Sequence, residues 1–177
     1  MHRQHDREGP SLRGRRKRGA QEQAIGKSRG GRTTKIHSVV DGEGRIIAFE
    51  LTGGNRHDIK PAPGLIETLP PAKSLLADAA YDSEAFRTFL TDRGTTPVIK
   101  QNPTRKREHP LDKDAYRGRN IIERAFSHLK DWRRVATRYD KLGETFMAFV
   151  NLTSAVIHCR EFVNRACSQG KSRDNWE

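Results

Sequence analysis

The chain has 177 residues, of which 33% are hydrophobic and 32% are charged, and this length suits one domain with a tail. No apolar run approaches the roughly 18 residues of a membrane span, and no apolar stretch near the N-terminus suggests a secretory signal. We therefore expect a soluble, cytoplasmic protein without a membrane partner. Cys159 and Cys167 form no CxxC pair, which argues against a disulfide framework.

The charge is distributed unevenly along the chain. Its 34 Lys and Arg residues exceed its 22 Asp and Glu residues by 12. Residues 1–32 hold ten basic and three acidic side chains, 33–97 hold seven and nine, and 98–141 hold thirteen and six. Two basic blocks flanking a mildly acidic centre favour a polyanionic partner such as nucleic acid, although each block alone could be a solvated surface.

The N-terminal half begins with a Gly- and Arg-rich segment. Residues 1–32 have too few large apolar side chains to fold alone, so we expect disorder there. Residues 33–40 and 45–51 alternate in polarity around the turn sequence Asp-Gly-Glu-Gly, which predicts a β-hairpin. Residues 63–69 read as a short helix that ends before two prolines.

The next elements suggest a parallel strand crossover. The apolar run 74–77 reads as a buried strand that ends at Asp78. It precedes a helix over 82–92, with Asp82 or Ser83 as N-cap, and a second strand at 97–99. After a polar, basic stretch over 101–115, helices are predicted from Tyr116 to about Arg133 and over 144–163. This order predicts an α/β fold with a mixed sheet over 33–167, followed by a flexible tail at 168–177.

The helix that starts at Tyr116 has two different faces. At 3.6 residues per turn, four polar positions fall within roughly 60° of one another, namely Tyr116, Arg119, Glu123 and Lys130. The opposite face carries Ile121, Ala125, Leu129 and Trp132 and is predicted to pack on the core. The polar stripe could be functional, or it could be a solvated face whose ion pairs contribute only about 0.3 to 0.5 kcal/mol each.

Asp78 favours the functional interpretation. Ligands in open α/β sheets collect at the carboxyl ends of strands, where Asp78 is predicted to lie. If Glu123 faces it, the two carboxylates could hold Mg²⁺, which takes one or two carboxylates together with water and phosphate oxygens. Cleavage or transfer of phosphodiesters uses such ions, and surrounding cations would bind the DNA backbone.

These residues resemble a known family, the DDE transposases of bacterial insertion sequences. The spacing of Tyr116, Arg119, Glu123 and Lys130 is similar to the Y-(2)-R-(3)-E-(6)-K signature of that family. The resemblance covers about residues 17–160. It includes the block Asp-Ala-Ala-Tyr from Asp78, the stretch Gly-Lys-Ser-Arg-Gly-Gly from Gly26, the Leu-Thr-Gly-Gly from Leu51 and the basic run 133–141.

The resemblance implies a fold, a reaction and a set of site residues. The fold would be ribonuclease H-like, and Asp78 and Glu123 would be catalytic, metal-binding residues for Mg²⁺ or Mn²⁺. The substrate would be double-stranded DNA at transposon ends, bound by a homo-oligomer. The expected DNA-binding residues are Tyr116, Arg119, Lys130, Arg105, Lys106, Arg107, Arg133 and Arg134, with Arg138 and Lys141 extending the same basic surface.

The resemblance is incomplete at the N-terminus. The family carries its first catalytic Asp on an opening strand upstream of the Gly-Lys-Ser-Arg-Gly-Gly stretch, and no such strand is evident here. Asp6 lacks apolar neighbours, and Asp41 is better suited to forming a turn. The first strand is therefore expected to be missing, through either a separate upstream reading frame or truncation. The alternative to an active transposase is an inactive DNA-binding fragment that modulates an intact one.

Overall fold

The architecture is taken from a computed structural model, which describes residues 3–5, 7–8, 23–28, 31–105, 107 and 109–170. The strands of these residues are β1 (Arg3–His5), β2 (Arg7–Glu8), β3 (Gly26–Ser28), β4 (Gly31–Val40), β5 (Ile46–Gly53), β6 (Ser74–Ala77), β7 (Thr96–Ile99) and β8 (Thr137–Arg138). The helices are α1 (Ala62–Glu67), α2 (Glu84–Asp92), α3 (Lys113–Arg117), α4 (Asn120–Lys130), α5 (Arg133–Ala136) and α6 (Gly143–Gly170).

Strands β4 and β5 form the predicted hairpin. They pair antiparallel from Thr34 opposite Gly53 to Val40 opposite Ile46. Asp41 closes the turn, because its Oδ1 accepts hydrogen bonds from the backbone amides of Glu43 and Arg45 at 2.9 and 3.0 Å. Such local side-chain bonds are typical of Asp in turns. The hairpin prediction is confirmed, and Asp41 occupies the turn position expected of it.

Helices cover both faces of the hairpin. Helix α1 contributes to one apolar cluster, against which Val39 and Ala48 pack. Ile36 and Leu51 belong to a second cluster with α4 and α6. Because both faces are covered, polar residues of β4 are buried as well. Lys35 is one of them, and its Nζ lies 3.0 Å from Asp58 Oδ1 and donates to the Arg56 carbonyl at 2.6 Å.

The predicted parallel crossover is also confirmed. Strands β6 and β7 pair in parallel, with Ser74 opposite Thr96 and Ala77 opposite Ile99. Helix α2 connects them and begins after Ser83, whose Oγ accepts the amide hydrogen of Phe86. The carboxyl ends of both strands therefore meet at one edge, and Asp78 follows directly there.

The α/β class is confirmed, but the described strands form separate sheets rather than one mixed sheet. Among the described residues, β1, β3 and β5 pair antiparallel with β4, whereas β6–β7 and β2–β8 form separate parallel pairs. Between the hairpin and β6 lies a cavity of about 490 Å³, whose lining includes Val39, Val40, Leu75 and Leu76. This space separates β4 from β6.

Described elements extend into both predicted terminal segments. Within 1–32, expected to be disordered, β1 and β3 pair with β4, and β2 pairs with β8. The rest of that prediction falls mainly on residues outside the described ranges. Helix α6 continues through Gly170, three residues into the expected tail, and residues 171–177 are not described. No helix of the described ranges combines the length and apolar character needed to cross a bilayer.

Gly54 packs directly against β4. Its amide donates to the Thr33 carbonyl at 2.9 Å, and an added Cβ would overlap Thr33 Oγ1. We expect Gly54→Ala to lower the free energy of unfolding by about 1 to 3 kcal/mol, because overpacking forces the backbone to shift. Urea denaturation measures this change.

Gly64→Ala is the matched control for that prediction. Gly64 lies in α1 with open space around its Cα. Alanine is favoured over glycine in helices by about 1 kcal/mol, so this variant should be unchanged or slightly more stable. Equal losses in both variants would contradict the packing argument.

Candidate active site

Asp78 stands at the end of β6 and begins a tight turn. The turn is a 3₁₀ helix over Ala79–Tyr81, and Asp78 Oδ1 caps it by accepting the amide hydrogen of Ala80 at 3.0 Å. Tyr81 is 1% exposed and anchors the turn in the core. The Asp78 carboxylate stays partly exposed, and its Oδ2 has no hydrogen-bond donor among the described residues. One carboxylate oxygen thus stabilises the turn, and the other is left for a ligand.

A buried ion pair lies just beyond this turn. Asp82 Oδ1 lies 2.9 Å from both Nε and Nη2 of Arg87, and Asp82 Oδ2 accepts the amide hydrogen of Asn102 at 2.8 Å. Arg87 Nη2 also donates to the Ile99 carbonyl at 2.9 Å. Sequence reasoning considered Asp82 only as a helix cap. The pairing with Arg87, five residues later, has no local pattern that would identify it.

Asp82 makes stability sensitive to acid. Burial raises the pKa of Asp82, but the Asn102 amide and the Arg87 guanidinium lower it by more, so the net shift is downward. A lowered folded-state pKa stabilises the protein above the unfolded value of about 3.9, and this contribution is lost as pH falls through the folded value.

We therefore expect the free energy of unfolding to decrease as pH falls below about 4. Asp82→Asn should show a smaller decrease, because its side chain does not titrate. Asp41, whose pKa is lowered overall despite its partial burial, should retain its own share in that variant. Urea titrations at neutral and acidic pH measure both slopes, and identical slopes for the two proteins would contradict the assignment.

The polar stripe lies on two helices rather than one. The predicted helix over 116–133 is broken, since α3 ends at Arg117 and α4 begins at Asn120. Gly118 lies in the break and packs on β6: an added Cβ would be 3.3 Å from Leu76 Cδ2. This close approach brings the stripe next to the strand that carries Asp78.

The core-facing side of α4 also differs from the prediction. The buried residues are Ile122, Ala125, Phe126 and Leu129. Ala125 and Leu129 were predicted correctly. Ile121 and Trp132 are only partly buried, because the break at Gly118 and the end of α4 at Lys130 place them at the margins of the helix. Trp132 instead packs edge-on against Phe149 of α6.

Tyr116, Arg119 and Glu123 are in contact. Arg119 Nη2 lies 2.7 Å from Glu123 Oε1, and the Arg119 guanidinium lies over the Tyr116 ring at 5.7 Å from its centroid. Burial raises the pKa of Tyr116; Arg119 opposes this, while Asp78 and Glu123 both raise it further. The net shift is upward, so the Tyr116 hydroxyl is neutral at pH 7.

Lys130 ends the stripe. It is exposed and pairs with no acid among the described residues. It lies seven residues after Glu123, which is about 10 Å farther along the same face of α4. Glu123 itself is 44% exposed at its side chain, so the stripe opens to solvent.

Two side chains of the basic loop after β7 contact Glu84 of α2. Arg107 Nη1 lies 3.1 Å from Glu84 Oε1, and His109 Nε2 lies 3.2 Å from Glu84 Oε2. Arg105 donates from Nη2 to the Asp82 carbonyl at 3.4 Å. Lys106 lies outside the described residues. Arg105 and Arg107 are both exposed, so their predicted role in DNA binding stays open.

The basic residues of the segment 133–141 differ in exposure. Arg133 is exposed, whereas Arg134 forms a bidentate pair with Asp140 at 2.6 and 3.0 Å. Arg138 was expected on the basic surface, and this expectation is wrong. It is 2% exposed, lies over the Phe146 ring and donates to Thr34, to the Ala24 carbonyl and to the Asp140 carbonyl.

The described residues hold no cluster of three or more candidate metal ligands, counting His, Cys, Asp and Glu side chains. Asp6, considered as a replacement for the first catalytic Asp, is not among the described residues. Among the described residues, the candidate ligands are the carboxylates of Asp78, which follows β6, and of Glu123, which pairs with Arg119.

Comparison with known proteins identifies the family of the chain. Residues 6–157 match the family model described as a transposase DDE domain. The chain is 39% identical over 129 residues to a Brucella ovis protein named as a transposase for insertion sequence element IS6501, covering 72% of this chain and 99% of that protein. No solved structure shows a significant match.

Two further relatives are longer than the matched region. A Burkholderia cepacia protein named as a transposase for element IS402 is 33% identical over 144 residues, covering 75% of this chain and 65% of that protein. The transposase for element IS1106 of Neisseria meningitidis serogroup B is 30% identical over 100 residues, covering 54% and 35%. These names do not favour the alternative of a merely modulatory fragment. The chain belongs to the transposase DDE domain family and is an insertion-sequence transposase, an enzyme class that cleaves DNA and transfers its strands.

Proposed function

We propose that Asp78 and Glu123 bind a divalent cation, Mg²⁺ or Mn²⁺, with which the protein cleaves and joins DNA at transposon ends. The observation that carries this proposal is the close packing of Gly118, which lies between Tyr116 and Glu123 in the sequence, on Leu76 of the strand that Asp78 follows. Carboxylate oxygens are the ligands that Mg²⁺ prefers, and it commonly uses only one or two of them. The two residues therefore fit such an ion.

A divalent ion, when bound there, supplies Lewis-acid stabilisation of the charge that develops on a phosphodiester. The remaining work belongs to the side chains around it. Arg119 holds one oxygen of Glu123 at 2.7 Å and so orients this carboxylate toward Tyr116. The neutral Tyr116 hydroxyl can donate a hydrogen bond to a carboxylate or to a phosphate oxygen.

The proposed DNA path follows the stripe. Lys130 lies about 10 Å from Glu123 along α4, which is sufficient to span adjacent phosphates of one strand. Arg133 continues this line past α4, and Arg105 and Arg107 approach from the loop beside Asp82. Arg134 contributes less in this proposal, because Asp140 binds two of its guanidinium nitrogens, Nε and Nη2. We further propose that a homo-oligomer in the cytoplasm binds the two transposon ends.

We also propose that the fold is ribonuclease H-like and that its first strand is not among the described elements. The cavity between Val39–Val40 and Leu75–Leu76 supports this proposal, since it separates the antiparallel hairpin from the parallel pair. A strand in that space would join both into one mixed sheet. By the family resemblance, such a strand would carry a third carboxylate for the metal site.

A plasmid nicking assay tests the proposed function. The purified chain is incubated with supercoiled plasmid and Mn²⁺, Mg²⁺ or EDTA. We expect open-circular product with Mn²⁺ and none with EDTA. DNA binding without nicking under any metal condition would contradict the catalytic proposal and would leave the modulatory fragment as the explanation.

A further inference from the structure

The ion pair of Asp82 and Arg87 connects the carboxyl ends of both parallel strands. Asp82 ends the turn that Asp78 begins, and its amide donates to the Ala79 carbonyl at 3.3 Å. Arg87 donates to the carbonyl of Ile99, the last residue of β7. The other oxygen of Asp82 binds the Asn102 amide, where the basic loop starts. The pair therefore joins the Asp78 turn, helix α2 and the end of β7.

The pair is buried and takes no part in the proposed chemistry. Asp82 and Arg87 are 7% and 6% exposed, so neither reaches a substrate. Burying two charges is costly, and a well-packed apolar pair of similar volume is often at least as stable. An apolar pair would lack hydrogen bonds, which form only in particular directions. These bonds fix the two strand ends and the turn between them at set distances.

We infer that Asp82 and Arg87 are positioning residues, which hold the Asp78 turn in the orientation that lets this carboxylate meet Glu123 at the metal. This inference rests on the proposed metal-binding role of Asp78. Asp78 caps the turn at one end, and the ion pair fixes the other end. Release of the pair leaves the turn held by its own backbone hydrogen bonds, the Asp78 cap and the buried Tyr81. Supporting residues of this kind change metal affinity by about 10- to 100-fold in metalloproteins.

The test compares a variant of Arg87 in α2 with a variant of Arg93, the residue that follows this helix. Arg87→Lys keeps the charge but loses the forked bonds to Asp82 and Ile99. Arg93→Lys is the matched control: Arg93 follows the end of α2 and donates to the carbonyls of Ile66 and Leu69 at 3.3 and 2.7 Å. It touches neither the Asp78 turn nor the basic loop. Asp82→Asn serves as a second variant if Arg87→Lys does not fold.

The first measurement is the Mn²⁺ concentration that gives half-maximal plasmid nicking. We expect Arg87→Lys to raise this midpoint about tenfold or more, with nicking partly recovered at saturating Mn²⁺. Arg93→Lys should stay within about twofold of the wild type. A purely stabilising role could also move the midpoint in a partly unfolded variant, because Mn²⁺ binds only the folded form. The midpoint is therefore compared at a temperature at which circular dichroism shows both variants fully folded without metal. An unchanged midpoint in Arg87→Lys, or an equal shift in Arg93→Lys, overturns the inference.

The second measurement is independent of activity. Amide hydrogen exchange at Ala80 and Tyr81 reports the order of the turn itself. We expect faster exchange at both amides in Arg87→Lys and wild-type exchange in Arg93→Lys. Unchanged exchange in Arg87→Lys overturns the inference. If the wild type neither binds Mn²⁺ nor nicks DNA while amide exchange responds as expected, the proposed function fails. In that case the conclusion that the ion pair orders the turn is still supported.

Discussion

Replacing Glu123 by Gln is expected to lower Mn²⁺-dependent nicking by a factor on the order of 10² to 10³. A metal ion contributes several kcal/mol to stabilising the transition state, and about 1.36 kcal/mol corresponds to a tenfold change in rate. The amide of Gln is a weaker ligand and carries no charge to attract the cation. Asp78→Asn should have a similar effect, while its amide oxygen can still cap the turn at Ala80. The initial rate of plasmid relaxation is the measurement.

Two acidic residues outside the site provide controls for this prediction. Glu67 at the end of α1 and Asp92 at the end of α2 are exposed and are not part of the stripe. Glu67→Gln and Asp92→Asn remove the same charges and should nick at the wild-type rate. Wild-type activity in Glu123→Gln would show that this carboxylate is not a metal ligand.

The double variant Arg119→Ala with Lys130→Ala is expected to weaken DNA binding and to make it less sensitive to salt. Each lost phosphate contact reduces the log-log slope of affinity against salt by about 0.9. For two contacts the slope should fall by roughly two, with affinity decreasing roughly tenfold per contact near 0.1 M salt. Fluorescence anisotropy of a labelled DNA duplex over about 50 to 200 mM salt measures both quantities.

A second Arg and Lys pair separates phosphate contacts from net charge. Arg56 and Lys60 are exposed in the segment before α1 and do not belong to the stripe. Their double Ala variant loses the same two charges and should keep the wild-type slope within experimental error. If both double variants flatten the slope equally, long-range attraction by net charge explains the binding, and the stripe has no specific role.

The elements with local signals were predictable from the sequence. The hairpin could be found because a turn motif separates two alternating segments, and Asp41 sits where the turn needs an acceptor. The β6–α2–β7 crossover could be found because Ser83 marks the start of an amphipathic helix between two short apolar strands. In both cases the information lies within about 30 neighbouring residues.

The missed features depend on contacts between distant parts of the chain. At the helix break, Gly118 packs on Leu76, which lies more than 40 residues earlier in the sequence, and periodicity does not report such a contact. Arg138 looked like a surface cation because its run is basic. It is buried because Phe146 and the segment around Ala24 provide a ring and carbonyl acceptors.

The sequence predicts the candidate site residues but not the ion pair of Asp82 and Arg87 that lies beside them. Spacing and resemblance were sufficient to propose Asp78, Tyr116, Arg119 and Glu123. In the structure, Arg119 contacts Tyr116 and Glu123. The signature does not contain the Asp82 and Arg87 pair, since it lists only groups near the reaction. The ligand and DNA-binding roles of the predicted residues stay predictions until the variants above are measured.

The bonds of Arg138 have a consequence for the order of folding. Its guanidinium closes contacts with Thr34 and Ala24 across 104 and 114 residues of sequence. At translation rates of about 5 to 20 residues per second, the ribosome needs roughly 5 to 20 s after making these early residues before Arg138 exists. Contacts that depend on Arg138 can therefore form only seconds after the hairpin residues are made. Until then, a chaperone or another nascent chain can bind to the residues around Thr34 and Ala24.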